Sequence, residues 1–198
     1  MEPLVSHVKL QPHVQALEPS WHHNVRRASD LVGYVSDPAA LRRLINSGNP
    51  VVYETYEAPV PEAAGHLMHG VTVIQPGKVG SEYYMTKGHY HVLRHTGEVY
   101  FGLQGEGYLV MEDEQGRFRA APVQAGTVVY VPPGWAHRSV NTGTIPLVML
   151  YAFPADAGHD YATIQDKGFS HIVVERDGKP AILPVSNVRA QERRAGGS

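Results

Sequence analysis

The sequence predicts an all-β fold, a β-sandwich or barrel with few helices. From residue 50 onward, short segments rich in Val, Tyr, Ile and Thr alternate with Gly, Pro and Asp. The chain has 20 glycines and 15 prolines, which suits many strands joined by tight turns. Strands do not alternate with long helical patterns, which argues against a βαβ fold. The predicted strands are residues 51–57, 71–75, 83–86, 98–103, 107–111, 117–123, 127–131, 137–140, 147–153 and 170–174.

One helix is strongly predicted, over residues 36–48. Asp37 is a favoured N-cap residue, Pro38 takes the first helical position and Gly48 marks the exit. Apolar residues at i, i+3 and i+4 give this helix one face that can pack on a sheet. A shorter helical turn is predicted around residues 163–167, where a glycine follows.

The length of 198 residues and the 42% of hydrophobic residues predict one domain with appended arms. We expect an N-terminal arm over residues 1–35 and a barrel domain with one flanking helix over residues 36–185. Residues 186–198 are basic and end in Gly-Gly-Ser, and we expect a disordered tail there.

Charge and composition exclude several classes of function. The net charge of −2 and the pI near 6.6 provide no basic surface for nucleic acid or anionic lipid. No apolar run reaches the roughly 18 residues of a membrane span, and the N-terminus lacks the pattern of a signal peptide. We therefore expect a cytoplasmic protein with no nucleic-acid or membrane partner. Because cysteine is absent, His, Asp and Glu are the remaining strong metal ligands.

Three histidines and one glutamate predict a metal site. His89 and His91 lie two residues apart in a segment typical of a strand, so their side chains point to the same face. Glu98 begins the next predicted strand, where the alternation favours an inward carboxylate. His137 follows a Pro-Pro-Gly turn that returns the chain toward the barrel interior. Three imidazoles and a carboxylate can hold a divalent transition metal and leave coordination positions open.

The segment from Gly126 to Asn141 resembles the second motif of the cupin superfamily. Its pattern of Gly, five residues, Pro, one residue, Gly, two residues, His, three residues and Asn matches without deviation. The first motif departs from the general pattern, because six residues separate His91 from Glu98 and Tyr83 replaces a usual glycine. The resemblance implies the cupin double-stranded β-helix, a jelly-roll barrel with a few short helices.

With this departure, the first motif resembles that of a narrower group, the cupin-type phosphoglucose isomerases. Further matches to that group are the segments 50–54, 76–91, 97–100, 103–107 and 154–161, and the resemblance covers roughly residues 25–180. It implies a metal-dependent aldose–ketose isomerase that interconverts glucose 6-phosphate and fructose 6-phosphate, in glycolysis and gluconeogenesis. It also implies a homodimer that pairs through exchanged N-terminal strands, with one divalent metal per subunit. Fe²⁺ is the first choice, and Mn²⁺, Ni²⁺ and Zn²⁺ are alternatives.

The resemblance also implies roles for individual residues. His89, His91, Glu98 and His137 are the implied metal ligands. Glu98, Tyr100 and His159 are the implied catalytic residues, with Glu98 as base. The implied substrate-binding residues are Tyr53, Thr72, Thr86 and Gly88, which bind the phosphate, and Tyr161, which lines the remaining pocket. Taken alone, such tyrosines and threonines are ordinary strand formers. Lys87 could supply a positive charge, but its inward-facing neighbours favour an outward side chain.

Alternatives remain open at two levels. A metal-bound carboxylate is a poorer base, so Glu98 could hold the metal, move the proton or do both. For the reaction itself, a metal-assisted hydride shift competes with a route through a cis-enediol. The chain could also be another metal-dependent cupin enzyme, either an isomerase of a different phosphosugar such as mannose 6-phosphate or an Fe(II) dioxygenase. A dioxygenase would have a more apolar pocket, and a non-catalytic sugar-binding or storage cupin would often lack a metal ligand.

Overall fold

The structure, a computed structural model, describes residues 8–9, 15–16 and 21–186. Its helices are a 3₁₀ turn (Ala28–Leu31), α1 (Pro38–Asn46) and α2 (Ala162–Lys167). Its strands are β1 (Val8–Lys9), β2 (Gln15–Ala16), β3 (His22–Arg27), β4 (Val51–Glu57), β5 (Leu67–Ile74), β6 (Lys78–Val79), β7 (Glu82–Tyr83), β8 (Tyr90–His91), β9 (Glu98–Gln104), β10 (Glu106–Asp113), β11 (Phe118–Gln124), β12 (Val128–Val131), β13 (Trp135–Asn141), β14 (Leu147–Pro154), β15 (His159–Asp160), β16 (His171–Arg176) and β17 (Lys179–Pro184).

Antiparallel sheets enclose the main core. The largest has six strands in the order β12-β9-β14-β5-β4-β3, and a three-stranded sheet has the order β11-β10-β13. Leu109 and Met111 of β10 pack in one apolar cluster with Leu147 and Met149 of β14, so the core lies between these two sheets. The predicted all-β jelly-roll barrel with a few short helices is confirmed.

A second apolar cluster covers the other face of the three-stranded sheet. Val110 and Val140 point away from the main core and pack with Tyr83, Phe169 and Val173. These partners belong to a four-stranded sheet of order β17-β16-β7-β6 and the loop before it. Strands β10 and β13 are therefore packed on both faces, which gives the barrel wall next to the site a rigid support.

The predicted helices are confirmed. The Asp37 carboxylate accepts hydrogen bonds from the backbone N–H groups of Ala39 and Ala40 at 2.9 and 2.8 Å, which caps α1. Ala40 and Leu41 of this helix are buried in the main core. Helix α2 ends at Gly168, whose φ of +71° suits a residue without a Cβ.

The strands differ from the predicted ones at specific places. Residues 83–86 were predicted as one strand, but β7 ends at Tyr83 and Met85 makes only an isolated bridge to Val140. Here the chain leaves its sheet and crosses to β13. The segment of His89 and His91 was predicted to be a strand and contains β8, whereas strands β1, β2, β3, β6, β15 and β17 are additional. Most of these contain two residues, which is too short for any periodic pattern, and β3 (HHNVRR) has no alternation of apolar residues.

Strand β3 lies within the predicted N-terminal arm and pairs with β4 of the large sheet. The other parts of that arm at residues 1–7, 10–14 and 17–20 lie outside the described residues, as do residues 187–198 of the predicted tail. The domain limits therefore stay predictions. Among the described helices, none has both the length and the apolar character needed to cross a membrane.

Candidate active site

Four side chains meet inside the barrel. His89, His91, Glu98 and His137 each offer one nitrogen or oxygen, and these atoms all lie within 4.8 Å of one another. His89 and His137 face each other in an isolated antiparallel bridge, where the N–H of His89 donates to the His137 carbonyl at 3.2 Å and the reverse bond is 3.1 Å. Backbone pairing thus fixes two of the histidines before any ligand contributes. The predicted His/Glu group is brought together in full.

Hydrogen bonds to the far side of two rings orient the nitrogens that face the centre. His91 Nδ1 lies 2.8 Å from Thr96 Oγ1, and His137 Nδ1 lies 3.3 Å from the Trp135 carbonyl oxygen. On the near side, Glu98 Oε2 is 3.1 Å from His91 Nε2 and 2.8 Å from His137 Nε2. Such outer contacts are the usual means of orienting metal-binding imidazoles.

The donor atoms fit a metal ion. His89 Nε2 and His137 Nε2 are buried and make no hydrogen bond. Glu98 Oε2 is close to His137 Nε2, but the contact lacks hydrogen-bond geometry. A buried polar atom without a partner costs about 1–3 kcal/mol, so such atoms are rare unless something else binds them. Two imidazole nitrogens without a hydrogen bond beside a third imidazole and a carboxylate match the ligand preference of divalent transition metals.

The protonation states of the group also suit metal binding, which needs deprotonated ligands. Burial lowers the pKa of His89 well below its usual value, and the neighbouring His137 and His159 lower it further. Burial alone would raise the pKa of Glu98, but the imidazoles of His137 and His91 outweigh it and hold that pKa below its usual range. His89 is therefore a neutral imidazole and Glu98 an ionised carboxylate.

A cavity of about 310 Å³ opens beside this group. His89, Glu98 and His137 line it, whereas His91 lies behind them. The other predicted site residues also line the cavity: Tyr53, Thr72, Thr86, Gly88, Tyr100, His159 and Tyr161. The structure thus places every predicted substrate-binding and catalytic side chain around one space.

The backbone near the predicted phosphate-binding residues is tightly constrained. Gly88 has a φ of +77°, and a Cβ there would come within 3.0 Å of Arg138 Cβ and of the His137 carbonyl oxygen. Only glycine fits, so its backbone N–H can be approached closely. Thr86 Oγ1 accepts a hydrogen bond of 3.0 Å from the Ser139 N–H. Burial raises the pKa of Tyr53 to about 12, so its phenol stays protonated.

Tyr100 and His159 lie against the His/Glu group. Burial and the neighbouring Glu98 carboxylate raise the pKa of Tyr100 well above its usual value, so its hydroxyl keeps its proton. The His159 ring centroid is 4.4 Å from that of His89, and the ring stacks on Tyr161 at 5.7 Å. Burial lowers the pKa of His159, which leaves a neutral imidazole able to exchange a proton.

Lys87 lines the cavity, so its expected outward orientation is wrong. Residues 86–88 do not form a regular strand, and strict alternation therefore does not apply. The Lys87 nitrogen lies 5.2 Å from the centre of the Tyr34 ring, and burial together with the nearby Arg26 charge lowers the pKa of Lys87. Arg26 of β3 also lines the cavity and was missed, because β3 has no pattern that predicts a strand.

Glu57 and Tyr151 are two further cavity residues that sequence reasoning missed. The Tyr151 hydroxyl donates to Glu57 Oε1 at 2.9 Å. Glu57 follows Tyr53 and Thr55 at every second position of β4, so the alternation that places Tyr53 inward could have identified it.

A jelly-roll barrel with three histidines and a glutamate beside its central cavity defines a protein of the cupin class. The family model described as Glucose-6-phosphate isomerase (GPI) matches residues 25–184, and this chain belongs to that family. The Glucose-6-phosphate isomerase of Thermococcus litoralis is 50% identical over 159 residues, which are 80% of this chain and 84% of that protein. The Glucose-6-phosphate isomerase of Pyrococcus horikoshii is 49% identical over the same shares of both chains.

A solved structure of Bacillus subtilis oxalate decarboxylase is also similar, with a TM-score of 0.42 and 25% identity over 52% of this chain and 26% of that chain.

Proposed function

We propose that this chain is a metal-dependent isomerase that interconverts glucose 6-phosphate and fructose 6-phosphate. Membership of the family supports the reaction. The main support for the mechanism is that one cavity has the His/Glu group on one wall and hydroxyl and cationic donors elsewhere. An Fe(II) dioxygenase is less well supported, because this cavity is lined by many hydroxyl, imidazole and charged groups.

The phosphate is proposed to bind among Tyr53, Thr72, Thr86 and the backbone N–H of Gly88. Each offers a neutral donor at short range, which suits a phosphate dianion. Arg26 and Lys87 add positive charge at the same cavity, and their mutual repulsion is part of the lowered pKa of Lys87. A dianion between these two cations would relieve that repulsion.

His89, His91, Glu98 and His137 are proposed to hold one divalent metal, Fe²⁺ in the first place, with Mn²⁺, Ni²⁺ and Zn²⁺ as alternatives. Fe²⁺, Mn²⁺, Ni²⁺ and Zn²⁺ all accept imidazole and carboxylate ligands, and availability decides among them. When bound, the metal supplies a Lewis acid that polarises the oxygens at C1 and C2 of the sugar.

The proton is proposed to move through Glu98, Tyr100 and His159. The ionised Glu98 carboxylate takes a proton from one of the two carbons, C1 or C2, and delivers it to the other, while the protonated Tyr100 hydroxyl donates a hydrogen bond to a sugar oxygen. The neutral His159 can take a proton from one sugar oxygen and return it to the other. These proton transfers give a cis-enediol as the intermediate.

A coupled assay of fructose 6-phosphate conversion tests the proposal. The protein is measured as purified, after chelation, and after adding back each of the four divalent ions. We expect activity to be lost on chelation and restored by at least one ion. Full turnover in metal-stripped protein would overturn the metal requirement, and no turnover with any ion would overturn the isomerase. Running the reaction from glucose 6-phosphate with deuterium at C2 should release label to solvent, whereas complete retention of the label at C1 of fructose 6-phosphate would favour a hydride shift.

We also propose a homodimer in the cytoplasm, where phosphorylated sugars are made and retained. The resemblance implies pairing through exchanged N-terminal strands, and four apolar side chains on the outer face of the large sheet at its β12 edge offer a second candidate contact. Val99, Phe101, Val128 and Tyr130 are 40%, 37%, 63% and 59% exposed and lie opposite one another on β9 and β12. Exposed apolar patches of this kind commonly mark contacts between proteins.

A further inference from the structure

Four residues on neighbouring strands form one row across the large sheet. Glu57 of β4 pairs with Gly70 of β5, Gly70 pairs with Tyr151 of β14, and Tyr151 pairs with Tyr100 of β9. Directly paired residues share a face of a sheet. The three side chains of the row all line the cavity described above. The row therefore forms part of the cavity wall opposite the strands β8 and β13.

The row depends on the absence of a side chain at Gly70. A Cβ at this position would lie 2.5 Å from the Tyr151 hydroxyl oxygen and 2.4 Å from the Tyr56 carbonyl oxygen. The Tyr151 phenol lies across β5 in the space that this side chain would occupy. It can therefore reach past one strand and donate its hydrogen to Glu57 at 2.9 Å.

The pair presents hydrogen-bond acceptors to the cavity. Tyr151 is only 5% exposed, and burial together with the Glu57 carboxylate raises the pKa of Tyr151, so the phenol keeps its proton. That single proton is directed at Glu57 Oε1. The phenol oxygen and the second carboxylate oxygen are left as acceptors. A ligand must bring O–H or N–H donors to this place, and an anionic group is repelled.

Along β4, the backbone position of this acceptor pair is separated from that of the cationic part of the cavity. Tyr53 and Glu57 are four residues apart on β4, which corresponds to about 13 Å along a strand. Arg26 pairs with Tyr53 and its side chain hydrogen-bonds the Tyr53 hydroxyl, so its charge is on the Tyr53 side. The cavity therefore has a cationic end and an acceptor end, and neither Glu57 nor Tyr151 belongs to the His/Glu group.

We propose that Glu57 and Tyr151 form a hydroxyl-binding subsite that holds the polyol part of a sugar phosphate and fixes its direction in the cavity. The identity of the ligand rests on the proposed function. The subsite accepts hydrogen bonds from sugar hydroxyls, while its negative charge keeps the phosphate at the opposite end. Substrate can then lie in only one orientation relative to His89, Glu98 and His137.

Binding of two probes, inorganic phosphate and glucitol 6-phosphate, tests the subsite by calorimetry. Glu57→Gln keeps the shape but removes the charge, and Tyr151→Phe removes the hydroxyl. Glu57→Gln weakens an interaction with a charged group and should reduce glucitol 6-phosphate binding at least about tenfold, whereas Tyr151→Phe removes a neutral acceptor and should reduce it about twofold to tenfold. Binding of inorganic phosphate should stay within about twofold for Tyr151→Phe, since phosphate does not use this end.

Strand β4 offers a matched control. Glu54 and Tyr56 are also a glutamate and a tyrosine, with the hydroxyl 3.4 Å from Glu54 Oε1, but they do not line the cavity. Glu54→Gln and Tyr56→Phe should leave both probes unaffected. Unchanged binding of glucitol 6-phosphate to Glu57→Gln and Tyr151→Phe would overturn the subsite, and so would equal weakening of both probes.

The same variants separate this inference from the isomerase proposal. If wild-type protein isomerises fructose 6-phosphate and the two variants bind glucitol 6-phosphate normally, the subsite fails and the isomerase stands. If wild-type protein shows no turnover but the variants lose polyol binding selectively, the isomerase fails and the subsite stands. The metal content of both variants, measured by elemental analysis, should equal that of wild type.

Discussion

At the scale of single residues, His137 has two separate functions. Its backbone pairs with His89 on both sides of the isolated bridge, and its Nε2 atom faces the centre of the His/Glu group. An alanine can keep the backbone bonds but not the imidazole. Replacing His137 by alanine therefore tests the contribution of its imidazole to metal binding while the backbone pairing of the strands is kept.

We expect His137→Ala to lose bound metal and to lower isomerase activity by at least about 100-fold, since changes even to outer partners of metal ligands cost about 10–100-fold. Elemental analysis and the coupled assay measure the two effects. His95→Ala is the control, because His95 is exposed and outside the group. A variant that keeps full metal content without His137 would contradict its role as a ligand.

The His/Glu group could be predicted because the spacing of two along a strand directs His89 and His91 to one face. The orientation of Lys87 was predicted wrongly, because the alternation of side chains fails where the chain leaves regular strand geometry. The alternation of β4 could have placed Glu57 in the cavity, but its role could not be predicted, because the hydroxyl that indicates it comes from Tyr151, 94 residues away in sequence.

At the scale of elements, an ion pair holds β15 next to β8. His159 pairs with His91 and Asp160 pairs with Tyr90 along these short strands. Arg94 Nη2 lies 2.6 Å from Asp160 Oδ2, and the same guanidinium donates to the His91 carbonyl oxygen. Two-residue strands have little pairing of their own, so this side-chain contact helps to place His159 over the cavity.

This contact predicts a pH dependence that one substitution should change. Hydrogen bonds from Arg94 and then from Thr163 lower the pKa of Asp160 to about 2. The usual value in an unfolded chain is about 3.9, so the folded state binds the proton less tightly. The contact therefore stabilises the fold above that value and its contribution is lost as the pH falls toward 2.

For Arg94→Gln we expect the pKa of Asp160 to rise toward the unfolded value and acid unfolding to begin at higher pH. A carbon-13 NMR titration of the carboxyl group and circular dichroism measure the two shifts. Arg42→Gln, on the exposed face of α1, is the control that removes a charge without touching Asp160. An unchanged Asp160 titration in Arg94→Gln would contradict the assigned cause.

Elements with strong local signals could be predicted, and those that depend on pairing could not. Helix α1 has its cap, proline and exit glycine in sequence, and β4 has the predicted limits of residues 51–57. Strand β3 is polar along its length and is a strand because β4 offers it an edge. That edge exists only after the sheet forms, so local sequence carries no sign of it.

At the scale of the whole molecule, the exposed apolar side chains at the β12 edge predict the oligomeric state. Light scattering should give about twice the chain mass of 21.7 kDa. Tyr130→Lys places a charge in the patch and should shift the protein to monomer, since burying an unpaired charge is costly. Ile145→Lys is the control, because Ile145 is 52% exposed in the loop between β13 and β14 and outside the patch. A wild-type monomer would refute the homodimer, and a dimer unaffected by Tyr130→Lys would place the contact elsewhere.

Gly70 also sets how this protein can change through evolution. Tyr151 reaches Glu57 only because β5 has no side chain between them, and a larger residue at position 70 would collide with both the phenol and the backbone of β4. A change at any one of these three positions therefore removes the structural reason for the other two. Among relatives we expect Gly70, Tyr151 and Glu57 to be retained or replaced together, whether or not the histidines on the facing strands are retained.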